Sequence, residues 1–105
     1  MSWTPLDEQK LRSAVAFSAR SGKLQSGDSA VRKSIAMGRA KLVLIDESAA
    51  QRTQKNIGEL CRKHRIEFFV IPSVYNMVQW AGRDTSKILC LEDKNLAGMA
   101  LDALK

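Results

Sequence analysis

The sequence predicts an α/β fold, a three-layer α/β/α sandwich with a central mixed sheet of about four strands. Three short runs of β-favouring apolar residues indicate buried strands, at residues 41–45, 68–71 and 88–91. A short extended piece at residues 23–25 is a fourth candidate strand. Segments with apolar residues at helical spacing separate these runs, and this alternation places helices on both faces of one sheet.

Two helices are predicted in the N-terminal part of the chain. The first includes Pro5 and Asp7 in or near its first turn, where the fixed proline backbone and an acidic side chain are both favourable, and it ends at Gly22. The second has Ser26 as a candidate N-cap and ends at Gly38. Both segments have apolar residues at helical spacing, so each is expected to bury one face.

Three further helices are predicted in the C-terminal part. Ser48 is a candidate cap for the third helix, whose apolar face is expected to include His64 near its end. A short helix is predicted from Ser73 through Trp80, and an amphipathic helix from Asp93 onwards. Trp80 is expected in the core rather than on an exposed stacking surface, because buried aromatic side chains are the commoner use.

The charge of the chain favours a polyanionic partner. The 105 residues fit one domain, residues 1–105, and they include 17 Lys and Arg against 11 Asp and Glu, a net charge of +6. Such an excess attracts nucleic acid, because neutralising phosphates releases condensed counterions. A merely soluble basic protein is the alternative, and net charge alone does not choose between the two.

The sequence also favours a cytoplasmic protein with no membrane partner. Residues 1–5 lack the basic start and apolar stretch of a secretory signal. No apolar run approaches the roughly 18–20 residues needed to cross a bilayer. The two cysteines, Cys61 and Cys90, form no close pair and are expected to be small buried residues.

No catalytic or metal-binding constellation is found in the sequence. His64 is the single histidine, and its expected place on a helix favours packing or an interaction with the helix dipole over catalysis. Cys61 lies three residues before it, but no second ligand pair follows. The sequence therefore predicts a protein that is not an enzyme and has no metal, cofactor or small-molecule substrate.

The start of the second helix is the candidate binding site. Backbone N–H groups at a helix start point outwards and can receive an anion, and basic residues lie on both sides of this one. The residues concerned are Lys23, Gly27, Asp28, Ser29, Arg32 and Lys33. An ordinary capped helix with a solvated basic face is an equally good interpretation of the residues alone.

Two sequence blocks carry a family resemblance. Residues 20–33 (RSGKLQSGDSAVRK) and residues 38–45 (GRAKLVLI) resemble the ribosomal protein L7Ae/L30e family, especially its small bacterial members. The similarity covers almost the whole chain and continues through Thr53, Leu60, Cys61, Ile66, residues 81–83 and residues 88–91. The resemblance implies an α/β/α sandwich that binds structured RNA of the kink-turn type, either ribosomal RNA or another kink-turn element, with the ribosome as a further partner.

The resemblance also implies roles for individual residues. Gly27 matches the glycine that opens the family's recognition motif, Lys33 a basic residue that approaches phosphate, and Glu47 an acidic residue that faces an extruded nucleotide. A loop before the last strand is implied to cover the RNA bulge, and the residues at its positions are Arg83, Thr85, Ser86 and Lys87, followed by Ile88, which is expected to pack on a base.

The recognition motif departs from the family pattern. Archaeal and eukaryotic members have Gly-Ala-Asn-Glu where this chain has Gly27-Asp28-Ser29-Ala30. Ala30 cannot form a hydrogen bond to a base, which weakens direct readout. Asp28 either repels a phosphate or serves the helix dipole. These changes leave a second hypothesis, a protein-interaction module on the same fold with reduced RNA affinity.

Overall fold

The computed structural model describes residues 7–81 and 86–104. In chain order the elements are α1 (Glu8–Arg20), β1 (Leu24–Ser26), α2 (Asp28–Ala36), β2 (Leu42–Asp46), α3 (Gln51–Lys63), β3 (Glu67–Ile71), two 3₁₀ turns (Ser73–Tyr75 and Met77–Gln79), β4 (Ile88–Leu91) and α4 (Lys94–Leu104). None of the described helices is long and apolar enough to span a bilayer.

The four strands form one mixed sheet in the order β1-β4-β2-β3. β2 and β3 are parallel, and β4 is antiparallel to both β1 and β2. The prediction of a mixed four-stranded sheet is therefore confirmed. As a consequence of these directions, the last residues of β1, β2 and β3 and the first residues of β4 lie together at one end of the sheet. We call this the site end, and the opposite end of the strands the far end.

Each face of the sheet has its own hydrophobic core. Along β2, Leu42 and Leu44 belong to the core under α1 and α4, whereas Val43 and Ile45 belong to the core under α2 and α3. Successive strand side chains point to opposite faces, so an apolar run must be covered on both sides. The predicted three-layer α/β/α sandwich is confirmed, and α2 and α3 form one outer layer.

β3 is less buried than its sequence predicts. It pairs with β2 alone, so it is an edge strand, and Glu67 and Val70 are exposed. An apolar run of four residues does not reveal whether a strand lies at the centre or at the edge of a sheet.

Two predicted helix caps are wrong. Ser26 is the last residue of β1, and Gly27 is the N-cap of α2. The N-cap of α3 is Ala50, and the Ser48 side chain donates instead to the carboxylate of Asp46. Ser26 accepts a hydrogen bond from the distant Ser86, and Ser48 closes a local turn with Asp46.

The segment after β3 is two 3₁₀ turns rather than one helix. Asn76 between them has a left-handed backbone, with φ of 55°. Trp80 is buried, as predicted, and its indole N–H donates to the carbonyl of Tyr75 at 3.1 Å. The prediction that His64 packs on the apolar face of α3 is wrong, because α3 ends there and the side chain is exposed at the C-cap.

Candidate nucleic-acid interface

The site end of the sheet brings together segments that are distant in sequence. The backbone N–H of Gly27 donates to the carbonyl of Ile88 at 3.0 Å, and the N–H of Asp46 donates to the carbonyl of Lys87 at 2.7 Å. The start of α2 therefore lies beside the start of β4, with the end of β2 on the other side of β4. Most of the residues predicted to bind RNA lie around the site end.

The backbone at Gly27 requires glycine. Its φ of 99° and ψ of 156° belong to a region that is essentially restricted to glycine, although nothing lies within 4 Å of the place where a Cβ would be. The space beside this residue is therefore open, and the constraint comes from the backbone alone. In this conformation the chain leaves β1 and enters α2 directly.

The start of α2 has no side-chain cap. Helix N–H groups in the first turn lack intrahelical partners, and the helix dipole makes this end positive. Without a capping side chain, the amides of Asp28 and Ser29 are available to an anion such as a phosphate. The predicted anion-receiving character of this turn therefore has the required geometry.

Asp28 and Arg32 form an ion pair across the first turn of α2. Nε of Arg32 lies 2.9 Å from Oδ1 of Asp28, and both side chains are about half exposed. Exposed helix pairs of this spacing contribute roughly 0.3–0.5 kcal/mol, so a phosphate can displace the carboxylate from Arg32 at small cost. Asp28 thus partly neutralises its own neighbour as well as favouring the helix dipole.

Lys33 is exposed on α2, about one turn after the helix begins. It lines a shallow depression of about 260 Å³ between α2 and the β1 edge of the sheet, together with Gln25, Ala30, Ser34, Arg39 and Glu92. In the same depression, Glu92 accepts hydrogen bonds from the hydroxyl of Ser34 at 2.6 Å and from the amide of Gln25 at 3.3 Å. Ala30 borders open space, so a longer side chain at this position could reach a ligand.

The end of the loop before β4 is fixed to β1. The N–H of Ser86 donates to the hydroxyl of Ser26 at 2.9 Å, and the N–H of Ile88 donates to the hydroxyl of Ser86 at 3.2 Å. Ser86 and Lys87 are both exposed, and the ammonium of Lys87 donates to the carbonyl of Ser48 at 3.4 Å, in the turn after β2. Arg83 and Thr85, which are predicted to belong to this loop, lie outside the described residues.

A buried carboxylate connects three segments at the site end. Asp46 is 4% exposed and accepts hydrogen bonds from the N–H and hydroxyl of Ser48 and, at 2.9 Å, from the hydroxyl of Ser73. Burial alone would raise the pKa of Asp46, but these hydrogen bonds and the charge of Lys87 lower it overall. Asp46 therefore stays ionised at neutral pH and anchors the turns after β2 and β3.

Glu47 lies at the protein surface at the site end. Its Oε1 accepts a hydrogen bond from the N–H of Ser73 at 2.8 Å, while the side chain stays exposed. The predicted position of Glu47 near a bound nucleotide is compatible with this exposure. Sequence analysis missed Asp46, Ser48 and Ser73, although an Asp at the end of a buried strand with a Ser two residues later is a recognisable turn signal.

Two predicted site residues are not placed as the RNA-binding prediction expects. Lys23 precedes β1 at the far end, where its carbonyl accepts from the N–H of Glu92, and the length of β1 separates it from Gly27 by about 13 Å. The side chain of Ile88 is 4% exposed, so little of it is open to a base. RNA contacts by these two residues remain predictions.

The described residues contain neither a metal-ligating cluster nor a reactive thiol. They contain no group of three His, Cys, Asp or Glu side chains that could hold a metal ion. Cys61 and Cys90 are fully buried, as predicted, and burial raises the pKa of each thiol to about 11. Both thiols therefore stay protonated near neutral pH and are poor nucleophiles.

Comparison with known proteins identifies the family of the chain. The sequence profile of the ribosomal protein L7Ae/L30e/S12e/Gadd45 family matches residues 9–97. The chain belongs to this family. All the predicted site residues, from Lys23 to Ile88, lie within the part of the chain that this profile matches. The resemblance inferred from the two sequence blocks is confirmed.

Three individual proteins that resemble the chain extend this comparison. The chain is 26% identical over 104 residues to the RNA-binding protein YlxQ of Bacillus subtilis (strain 168), which covers 99% of this chain and 96% of that protein. A Bacillus halodurans protein of unknown function superposes with a TM-score of 0.83 at 20% identity, covering 90% of this chain and 96% of its own. The Giardia lamblia 15.5kD RNA-binding protein superposes with a TM-score of 0.73 at 16% identity, covering 91% and 82%. At these identities the two structures establish a shared fold.

Proposed function

We propose that this protein is a non-enzymatic RNA-binding protein that recognises structured RNA of the kink-turn type, in association with the ribosome or its assembly in the cytoplasm. The observation that carries the proposal is the uncapped start of α2, which opens towards solvent at Gly27 and is flanked by Arg32 and Lys33. Family membership and the RNA-binding relative YlxQ support the same partner.

Binding in this proposal depends on phosphates and RNA shape more than on base reading. Backbone amides and lysines position the phosphates of a bent strand, and such contacts carry no sequence information. Ala30 offers no hydrogen bond to a base edge, and Asp28 is occupied by Arg32. The protein is therefore expected to distinguish a sharply bent RNA from a straight duplex, with modest preference among sequences.

A protein-interaction module with reduced RNA affinity is the second candidate. The ion pair between Asp28 and Arg32 favours it, because it places a carboxylate where a phosphate would bind. The charge of +6 opposes it, since an excess of this kind favours a polyanion. RNA binding is therefore the better supported of the two.

A gel-shift titration against a kink-turn RNA and an unkinked duplex of equal length tests the proposal. The protein should bind the kinked RNA more tightly, and the affinity should fall steeply as salt rises. Equal affinity for the two RNAs at every salt concentration would contradict the kink-turn proposal. No binding to either RNA would favour the protein-interaction module.

A further inference from the structure

The positive charge of the chain is concentrated in one layer of the sandwich. Residues 28–41, which include α2, carry Arg32, Lys33, Arg39 and Lys41 against Asp28. Residues 51–65, which include α3, carry Arg52, Lys55, Arg62, Lys63 and Arg65 against Glu59. These two segments hold net charges of +3 and +4, so together they reach +7 in a chain of net charge +6. All the other residues of the chain together therefore have a net charge of −1.

The basic side chains of this layer reach far beyond the candidate site. α2 and α3 both begin at the site end and run to the far end, because each connects the end of one strand to the start of the next. Lys55 and Lys63 are eight residues apart on α3, which corresponds to about 12 Å along its axis. Lys63 and Arg39 are both exposed and lie towards the far end. The charge therefore forms a stripe that starts beside Gly27 and continues along the molecule.

Helix stability explains only part of this placement. Cations favour the C-terminal end of a helix, which accounts for Lys33, Arg62 and Lys63, but they are unfavourable in the first turn. α3 nevertheless has Arg52 in its first turn, with no acidic residue there and no side-chain cap. A local preference that is broken without a compensating contact points to a functional constraint.

The surface between the two helices is shaped for an extended polar partner. A shallow groove of about 280 Å³ lies between α2 and α3 and is lined by Arg32, Asn56, Glu59, Leu60 and Lys63. At the far end, the guanidinium of Arg62 is held over the ring of Phe68, 5.3 Å from its centroid. Among the described parts of segments 28–41 and 51–65, Met37 is the single exposed large hydrophobic residue. Protein interfaces usually have an apolar centre, so this face fits a phosphate backbone better than a protein.

We propose that the outer face of α2 and α3 is a second phosphate-binding surface, which holds a duplex arm of the RNA where it extends away from the kink. This inference rests on the proposed function, because the arm reaches the face through the RNA bound at the start of α2. Arg32 belongs both to the candidate site and to the groove, so the two surfaces are continuous. The second surface contributes affinity that depends on arm length and salt, and it reads no sequence.

Binding titrations with kink-turn RNAs of two arm lengths test this proposal. One RNA has two minimal arms. In a second RNA one arm is lengthened by a full helical turn, and in a third RNA the other arm is lengthened instead. A double variant with Lys41→Gln and Lys63→Gln removes two exposed charges from the far end. The matched control has Arg12→Gln and Lys94→Gln, which removes two exposed charges from the α1 and α4 layer. Thermal melts of both variants are expected to resemble that of the parent.

The parent should bind one of the long-arm RNAs more tightly than the minimal RNA, with a steeper dependence of affinity on salt. The far-end variant should flatten the slope of log affinity against log salt for that RNA by about two, since each lost phosphate contact removes about one. Its affinity for the minimal RNA should equal that of the parent, and the control should match the parent on every RNA.

Two results would overturn the inference, and they differ from failure of the proposed function. If the parent prefers kinked RNA but is indifferent to arm length, the second surface is wrong and the proposed function stands. If the far-end variant and the control lose long-arm affinity equally, only net charge matters and the second surface is also wrong. If the parent binds none of the RNAs, both proposals fail together.

Discussion

The two helix layers of the sandwich differ in how their helices begin. In one layer, Asp7 caps α1 by accepting from the N–H of Lys10 at 3.0 Å, and Asp93 accepts from the N–H of Leu96 at 2.9 Å at the start of α4. In the other layer, α2 and α3 begin after Gly27 and Ala50, with no side-chain cap on either. In the capped layer a carboxylate accepts from one first-turn amide of each helix, whereas the first turns of α2 and α3 have no side-chain cap.

This difference indicates a division of labour between stability and binding. N-terminal caps contribute roughly 0.5–2 kcal/mol each, so their absence from α2 and α3 reduces stability. The uncapped layer is also the basic one, and it stays attached to the sheet through its buried side chains. Substitutions should therefore separate the two functions cleanly within a single helix of the uncapped layer.

The largest expected effect is on folding. Ile35 is fully buried on the inner face of α2, so Ile35→Ala should destabilise the protein by roughly 2–5 kcal/mol through the cavity it leaves. Urea denaturation followed by circular dichroism measures this loss. A loss below about 0.5 kcal/mol, as for a surface substitution, would mean that α2 is not held by this core.

The next effect concerns base readout at the start of α2. Ala30→Glu restores a hydrogen-bonding side chain at the edge of the open depression, and it should tighten binding to a kink-turn RNA by about 1–3 kcal/mol. Isothermal titration calorimetry measures the change. Asn95→Glu on α4 is the matched control, because it adds the same charge at an exposed helical position in the other layer. Equal weakening by both substitutions would show that the RNA binds differently from the proposed way.

A cap in the other layer should affect stability alone. Asp93→Ala removes the carboxylate that accepts from Leu96, so it should cost about 0.5–2 kcal/mol of unfolding free energy. RNA affinity, measured by fluorescence anisotropy below the melting temperature, should stay unchanged. A large loss of affinity with an intact fold would place the α1 and α4 layer in the RNA interface and abolish the proposed division.

The smallest effect on stability belongs to Lys33. Since this side chain is exposed and alanine is the better helix former, Lys33→Ala should change stability by no more than about 0.5 kcal/mol. It should weaken RNA binding and flatten the salt dependence by about one charge. Lys94→Ala on α4 provides the control. If Lys33→Ala binds RNA like the parent at low salt, the binding site lies elsewhere.

Sequence patterns predicted the layers and the centre of the sheet, because their signals are local. The apolar runs of β2 and β4 require cover on both faces, and the structure has it. The edge position of β3 depends on strand order, which no local pattern contains. The same reason explains the wrong cap at Ser26, which bonds to Ser86 sixty residues away. The wrong cap at Ser48 has a local cause, because this side chain closes a turn with Asp46 two residues earlier.

The candidate site was predictable to a similar extent. Gly27 and Lys33 stand out from the sequence because a helix start and its next turn are neighbours along the chain. The network of Asp46 joins the turns after β2 and β3, and Lys23 lies at the wrong end of a strand only three residues long. Both features follow from sheet directions, which the sequence leaves open.

Backbone amide resonances of isotope-labelled protein, followed during titration with a kink-turn RNA, test most directly whether the uncapped layer receives the RNA. The amide signals of Asp28 and Ser29, which have no side-chain cap, should show the largest shifts. The amides of Lys10 and Leu96, which already donate to capping carboxylates, should shift little. The largest shifts at the starts of α1 and α4, with the start of α2 unmoved, would contradict the proposal that the open start of α2 binds the RNA.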